Sequence, residues 1–126
     1  MNSQSPNSSQ INRFKNSARL YSSEISIVHK LEQQHPWLLT EGQAGVKSPS
    51  DSSLYEEYAL LKSDIQFVNS VLKQIEILYG STAKDVVRRL YILREDPDSV
   101  GDSIGYSGRR VQYYVRKYFD TVFDMK

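Results

Sequence analysis

From Leu54 to Tyr79 apolar residues recur at alternating steps of four and three: Leu54, Tyr58, Leu61, Ile65, Val68, Leu72, Ile75 and Tyr79. Those steps return residues to one face of an α-helix. They predict a rod of roughly 40 Å at 1.5 Å per residue. Gly80 is placed to stop it. A heptad seam of this length needs a cover. A second stripe, Leu60, Phe67, Val71 and Leu78, lies off the seam, so one face can meet the chain's own helices and the other a second subunit. Leu54, Tyr58, Leu61, Ile65, Val68, Leu72 and Ile75 are therefore the candidate oligomerisation residues, and a homo-oligomer is expected. Burial of both faces within one protomer is the competing reading.

The rest of the 126 residues is organised around that rod. No long alternating β-branched run appears, and the remaining apolar spacing is also three and four. The expected fold is all-α: a helical bundle with a long heptad-patterned central helix and a C-terminal helix-turn-helix. Residues 1–10 are Ser, Asn and Gln with one Pro and are expected to be a disordered tail. Residues 11–53 read as an N-terminal helix and linker. The helical stripe Ile11, Phe14, Ala18, Tyr21, Ile25, Val28 and Leu31 ends at His35-Pro36. Residues 54–80 form the long helix, with Asp51, Ser52 and Ser53 as N-cap candidates. Residues 81–126 form the DNA-binding domain, entered through a helix capped by Ser81 or Thr82. In the linker, Trp37, Leu38 and Leu39 are expected to cover neighbouring helices; an interface anchor is the alternative.

The most informative stretch is Asp98 to Phe119, DSVGDSIGYSGRRVQYYVRKYF. It reads as two short helices joined by a tight turn. Val100, Ile104 and Tyr106 point inward, Gly101 is small where helices cross, and Gly105 can take φ > 0 in the turn. Asp98 or Ser99 caps the first helix and Ser107 the second, which buries Val111, Val115, Tyr118 and Val122. This is the unit that lays its second helix in the major groove. With Val111 and Val115 inward, Arg109, Gln112, Tyr113 and Arg116 form the expected base-reading set, because Arg matches guanine and Gln matches adenine. Arg110 and Lys117 flank it toward phosphates, and Ser107 and Gly108 present the helix N-terminus to the backbone. Net charge is only +1, but the sign is segregated. Residues 107–119 carry Arg109, Arg110, Arg116 and Lys117 with no acid, behind Asp85, Glu95, Asp96, Asp98 and Asp102.

Several classes are disfavoured. With no Cys there is no disulfide, thiol nucleophile or thiolate metal site, which fits a reducing cytoplasm. No apolar run approaches the roughly 20 residues of a membrane span. His29 and His35 lack a nucleophile partner, and no zincin, P-loop or dinucleotide motif is present. The expectation is a non-enzyme without metal or cofactor.

The segment VVRRLYILREDPDSVGDSIGYSGRRVQYYVRKYFDTVF resembles region 4 of bacterial sigma factors. It is closer to small phage regulators of the RinA and ArpU type: an apolar helix (Val87 to Leu93), a short turn, then the helix–Gly–apolar–Ser–helix unit of Val100, Ile104, Gly105, Tyr106, Ser107 and Val111. The layout before it, a helix, a Pro36-Trp37 link and a long helix, is similar too. The resemblance implies a phage or prophage late-gene activator that binds double-stranded DNA and acts with host RNA polymerase in the bacterial cytoplasm. The small subunit of a phage packaging terminase is a second reading. A helical protein-interaction module without nucleic acid is a third.

Overall fold

The computed structural model describes residues 7–124. They form six α-helices and one 3-10 turn, with no strand among the described residues: α1 (Ser8–Gln34), α2 (Trp37–Thr40), the turn Gly42–Gly45, α3 (Pro49–Tyr79), α4 (Ser81–Tyr91), α5 (Pro97–Ile104) and α6 (Gly108–Asp124). The chain is all-α, with a long central helix and a C-terminal helix-turn-helix. No helix among the described residues is long and apolar enough to cross a membrane.

The cover of the heptad seam is α1. The two helices run antiparallel: Tyr21 Oη donates to Asn69 Oδ1 at 2.6 Å, and Tyr58 Oη donates to Glu32 Oε2 at 2.8 Å. Val68, Leu72 and Ile75 are buried in a core that also holds Ile11, Phe14 and Ala18 of α1. Tyr58 is buried with Val28 and Leu38, and Leu61 and Ile65 pack on that cluster. Leu54 is half-buried. The residues singled out for self-association are thus largely occupied inside the protomer, and a seam between subunits would require opening it. The spacing is the same whichever helix fills the groove, so periodicity does not separate the two. The apolar residues that α3 does expose are others: Leu60, Ile77, Leu78 and Tyr79.

Three boundaries differ from expectation. Residues 8–10, expected in the tail, are helical, and Asn7 is buried, its Nδ2 donating to Asp124 Oδ1 at 2.9 Å. That bond and the buried Ile11 fix the helix start; residues 1–6 lie outside the described residues. The long helix begins at Pro49, not Leu54. Pro is acceptable at the first helical position, where its missing N–H is no loss, and Ser48 caps the helix by accepting from the Asp51 N–H at 3.2 Å. Ser81 and Thr82 do not cap α4: Gly80, at φ +99°, is at once the C-cap of α3 and the N-cap of α4.

The linker folds down. Trp37 and Leu38 pack against Val28 and Tyr58, while Leu39 stays exposed. Gly45 lies against the indole, where an added Cβ would sit 2.5 Å from Trp37 Cε3.

Residues 81–124 do not stand apart from the rest. One continuous core joins Ile11, Phe14 and Ala18 to Ile75, Val87, Val100, Val111, Val115, Phe119 and Phe123. Phe14 is its hinge-pin, fully buried, with ring centroids 6.0 Å from Tyr91 and 5.3 Å from Phe119. The N-terminal helix therefore braces the C-terminal motif.

One buried group fits poorly. Glu24 of α1 is 7% exposed, and its Oε1 has no hydrogen-bond partner among the described residues. Burial, and then the neighbouring Asp64 carboxyl of α3, push its acid up to about 7.

Candidate nucleic-acid interface

Local chemistry sets the helix-turn-helix. Asp96, extended at φ −69° and ψ 138°, accepts from the Asp98 and Ser99 N–H groups, and Pro97 opens α5. So Asp96, and neither Asp98 nor Ser99, is the cap. Gly105 ends α5 in the left-handed region, at φ 79° and ψ 25°, and the Tyr106 N–H returns to the Gly101 carbonyl at 2.9 Å. Ser107 Oγ then accepts from the Arg110 N–H at 3.1 Å, capping α6 as expected. The turn is tight enough that a Cβ on Gly101 would run into the Tyr106 carbonyl oxygen. Backbone cannot swing aside as a side-chain tip can, so Gly101→Ala is expected to destabilise by about 1–3 kcal/mol. Denaturant unfolding measures it, and a neutral result would contradict the packing described.

Asp98 has a different task from the expected one. Its Oδ1 accepts from the Gly108 N–H at 3.2 Å, across the turn. Gly108 is buried, and a Cβ there would strike the Asp98 carboxylate. Gly108 is therefore not available to a phosphate; a carboxylate already occupies that N–H. Ser107 likewise spends its hydroxyl on the cap, although the residue is exposed.

The outward face of α6 also turns. Gly108, Val111, Val115, Phe119 and Phe123 are the buried residues. At about 100° per residue their mean direction lies roughly 40° from that of Val111 and Val115 alone. The centre of the exposed face moves accordingly to Arg110, Tyr113 and Lys117, with Arg109 off to the Arg116 side. All four are exposed, Tyr113 by 59%. Gln112 and Arg116 are exposed on the flank nearest α1, where they border a hollow shared with Ile11 and Lys15. Tyr114 is half-buried and Tyr113 is not, in line with the helix phase.

The cations on this face are held differently. Arg116 Nε donates to Asp120 at 3.2 and 3.4 Å, an exposed pair one turn apart. Lys117 Nζ lies 5.3 Å from the centre of the Tyr113 ring. The Arg110 guanidinium lies 4.2 Å from the Tyr106 ring centre and 5.6 Å from that of Tyr114, and Nη2 reaches Tyr114 Oη at 3.4 Å. That contact holds the Tyr114 phenol below its usual range and raises the guanidinium further. Sequence reasoning misses both the tyrosine shelf and the Asp120 partner. The only sequence signal for either is position: Arg110 to Tyr114 and Arg116 to Asp120 are both i, i+4 pairs.

The acids before the motif are mostly spent on internal partners. Glu95 Oε1 lies 2.7 Å from Arg89 Nη2, Asp85 pairs with Arg88 at 3.0 Å, Asp96 caps α5, and Asp98 accepts from the Gly108 N–H. The basic run from Arg109 to Lys117 keeps its charge, with Asp120 the acid set against it. No family model matches this chain, and no curated protein or solved structure matches it either. The functional reading is carried by this geometry.

Proposed function

We propose that the protein is a sequence-specific binder of double-stranded DNA that acts as a transcriptional regulator. The observation that carries the reading is the acid-free segment from Ser107 to Phe119 and the exposed basic face it gives α6. It displays Arg109, Arg110, Tyr113 and Lys117 on the second helix of a helix-turn-helix. Arginine forks suit guanine edges, and the lysine and remaining arginine suit phosphates. A phage or prophage late-gene activator working with bacterial RNA polymerase in the host cytoplasm is the biological setting we favour, on the resemblance of the 86–123 segment. The terminase small subunit and the nucleic-acid-free interaction module are the alternatives. Self-association, if used to present two motifs to two half-sites, would engage the exposed Leu60, Ile77 and Leu78 rather than the seam.

Selection of duplexes from a random pool, followed by footprinting, tests the reading. Enrichment of a defined site protected in the major groove is expected. Failure to enrich any sequence would favour the interaction module. On the selected site, Arg109→Ala is expected to cost roughly 1–3 kcal/mol and relax one base position; unchanged binding in a titration would remove Arg109 from the interface.

A further inference from the structure

On α6, Arg110 rests on two aromatic rings. Tyr106 comes from the turn and Tyr114 from one helical turn further along α6. Their rings stack on each other with centroids 5.6 Å apart at 29°. The guanidinium sits within cation–π range of both. A guanidinium held over aromatic rings can keep its edge N–H groups, which are the ones that read guanine O6 and N7. One of those groups, Nη2, leans on Tyr114 Oη at the long distance of 3.4 Å, a bond readily exchanged. Arg116, in contrast, must first release the Asp120 carboxylate.

We infer that Tyr106 and Tyr114 form a shelf that pre-orients Arg110 as the base-reading arginine for a G·C pair, with Tyr114 a positioning residue. The inference rests on the DNA-binding reading and deepens it. It moves Arg110 from the phosphate contacts to the specificity-determining ones. The placement agrees with the rotated face of α6, on which Arg110 is central and Gln112 and Arg116 are lateral. Pre-orientation matters because a long side chain otherwise loses rotamer freedom on binding.

The test compares binding to the selected duplex with binding to duplexes changed one base pair at a time. Wild type is expected to prefer one G·C pair by about tenfold or more, and Arg110→Ala to lose that preference. Tyr114→Leu is expected to weaken the same preference severalfold at the same base pair with Arg110 still present. Tyr114→Phe, which keeps the ring, is expected to retain most of it. Lys117→Ala is expected to weaken all duplexes evenly. A readout without DNA accompanies these: the Arg110 side-chain protons should show upfield ring-current shifts in wild type and Tyr114→Phe, reduced in Tyr114→Leu. Circular dichroism confirms that each variant is folded, and Tyr114→Phe carries the test if Tyr114→Leu is not. Should Tyr114→Leu retain the preference, lower affinity evenly across duplexes, or leave the ring-current shifts unmoved, the shelf has no positioning role. Loss of the preference in folded Tyr114→Phe would also overturn the ring-based account. If wild type enriches no duplex at all, the DNA reading itself fails and takes this inference with it.

Discussion

Phe14→Ala is expected to cost about 3–5 kcal/mol, the range for emptying a well-packed aromatic site. Phe14 is fully buried between Tyr91 of α4's end and Phe119 of α6. Its loss leaves a hole where three helices meet, and the braced motif cannot close it without shifting α6. The effect should reach the helix-turn-helix although Phe14 precedes α5 by more than 80 residues. Denaturant unfolding followed by far-UV circular dichroism measures the cost. Trp37, which sits in the second cluster with Val28 and Tyr58, reports independently by fluorescence. Coincident transitions are expected, shifted together by the substitution. A loss below about 1 kcal/mol would contradict the packing described around Phe14, and separate transitions would show that the two clusters do not unfold as one unit.

The second large effect is a pH dependence centred on Glu24. Its carboxyl titrates near 7 when folded, against an ordinary value of 4.5 when unfolded. Between those values the folded state holds a proton that the unfolded state has released. The stability linked to Glu24 is therefore fully present below about pH 4.5, declines as pH rises toward 7, and is lost above it. The cause is burial first, and the Asp64 carboxyl second. The loss is bounded by roughly 3–4 kcal/mol, since a tenfold change in proton affinity corresponds to about 1.36 kcal/mol. Glu24→Gln keeps the shape and removes the charge, so it is expected to erase the decline and to be more stable than wild type at pH 8. Unfolding measured at pH 5 and pH 8 decides this. Identical pH profiles for the two proteins would show that Glu24 stays solvated.

Periodicity carries the elements and fails at the pairings. The four-three spacing from Leu54 onward predicts the helix, and it forms the core of α3. The same spacing says nothing about which helix covers it, so the seam reads as facing outward although Ile11, Phe14 and Ala18 are there to fill it. Gly105 and Ser107 are legible because turn and cap demands are local. Asp98 is not: its partner, the Gly108 N–H, is ten residues away and is identified only by the folded turn. The direction of α6 shows the same limit. Val111 and Val115 define an inner face, but Phe119 and Phe123 are buried as well, and their weight rotates the exposed face toward Arg110 and Lys117. Pro49 opens α3, since the first position of a helix is where proline costs least.

The central claim is that the exposed basic face of α6 meets DNA phosphates and bases. Its most direct test is the salt dependence of binding to the selected duplex, in wild type and in Lys117→Ala. Each neutralised phosphate contributes a slope of about −0.9 in log affinity against log salt. A steep linear fall is expected for wild type, and a slope shallower by about one phosphate in the variant. Affinity indifferent to salt, or identical slopes for the two proteins, would contradict the claim.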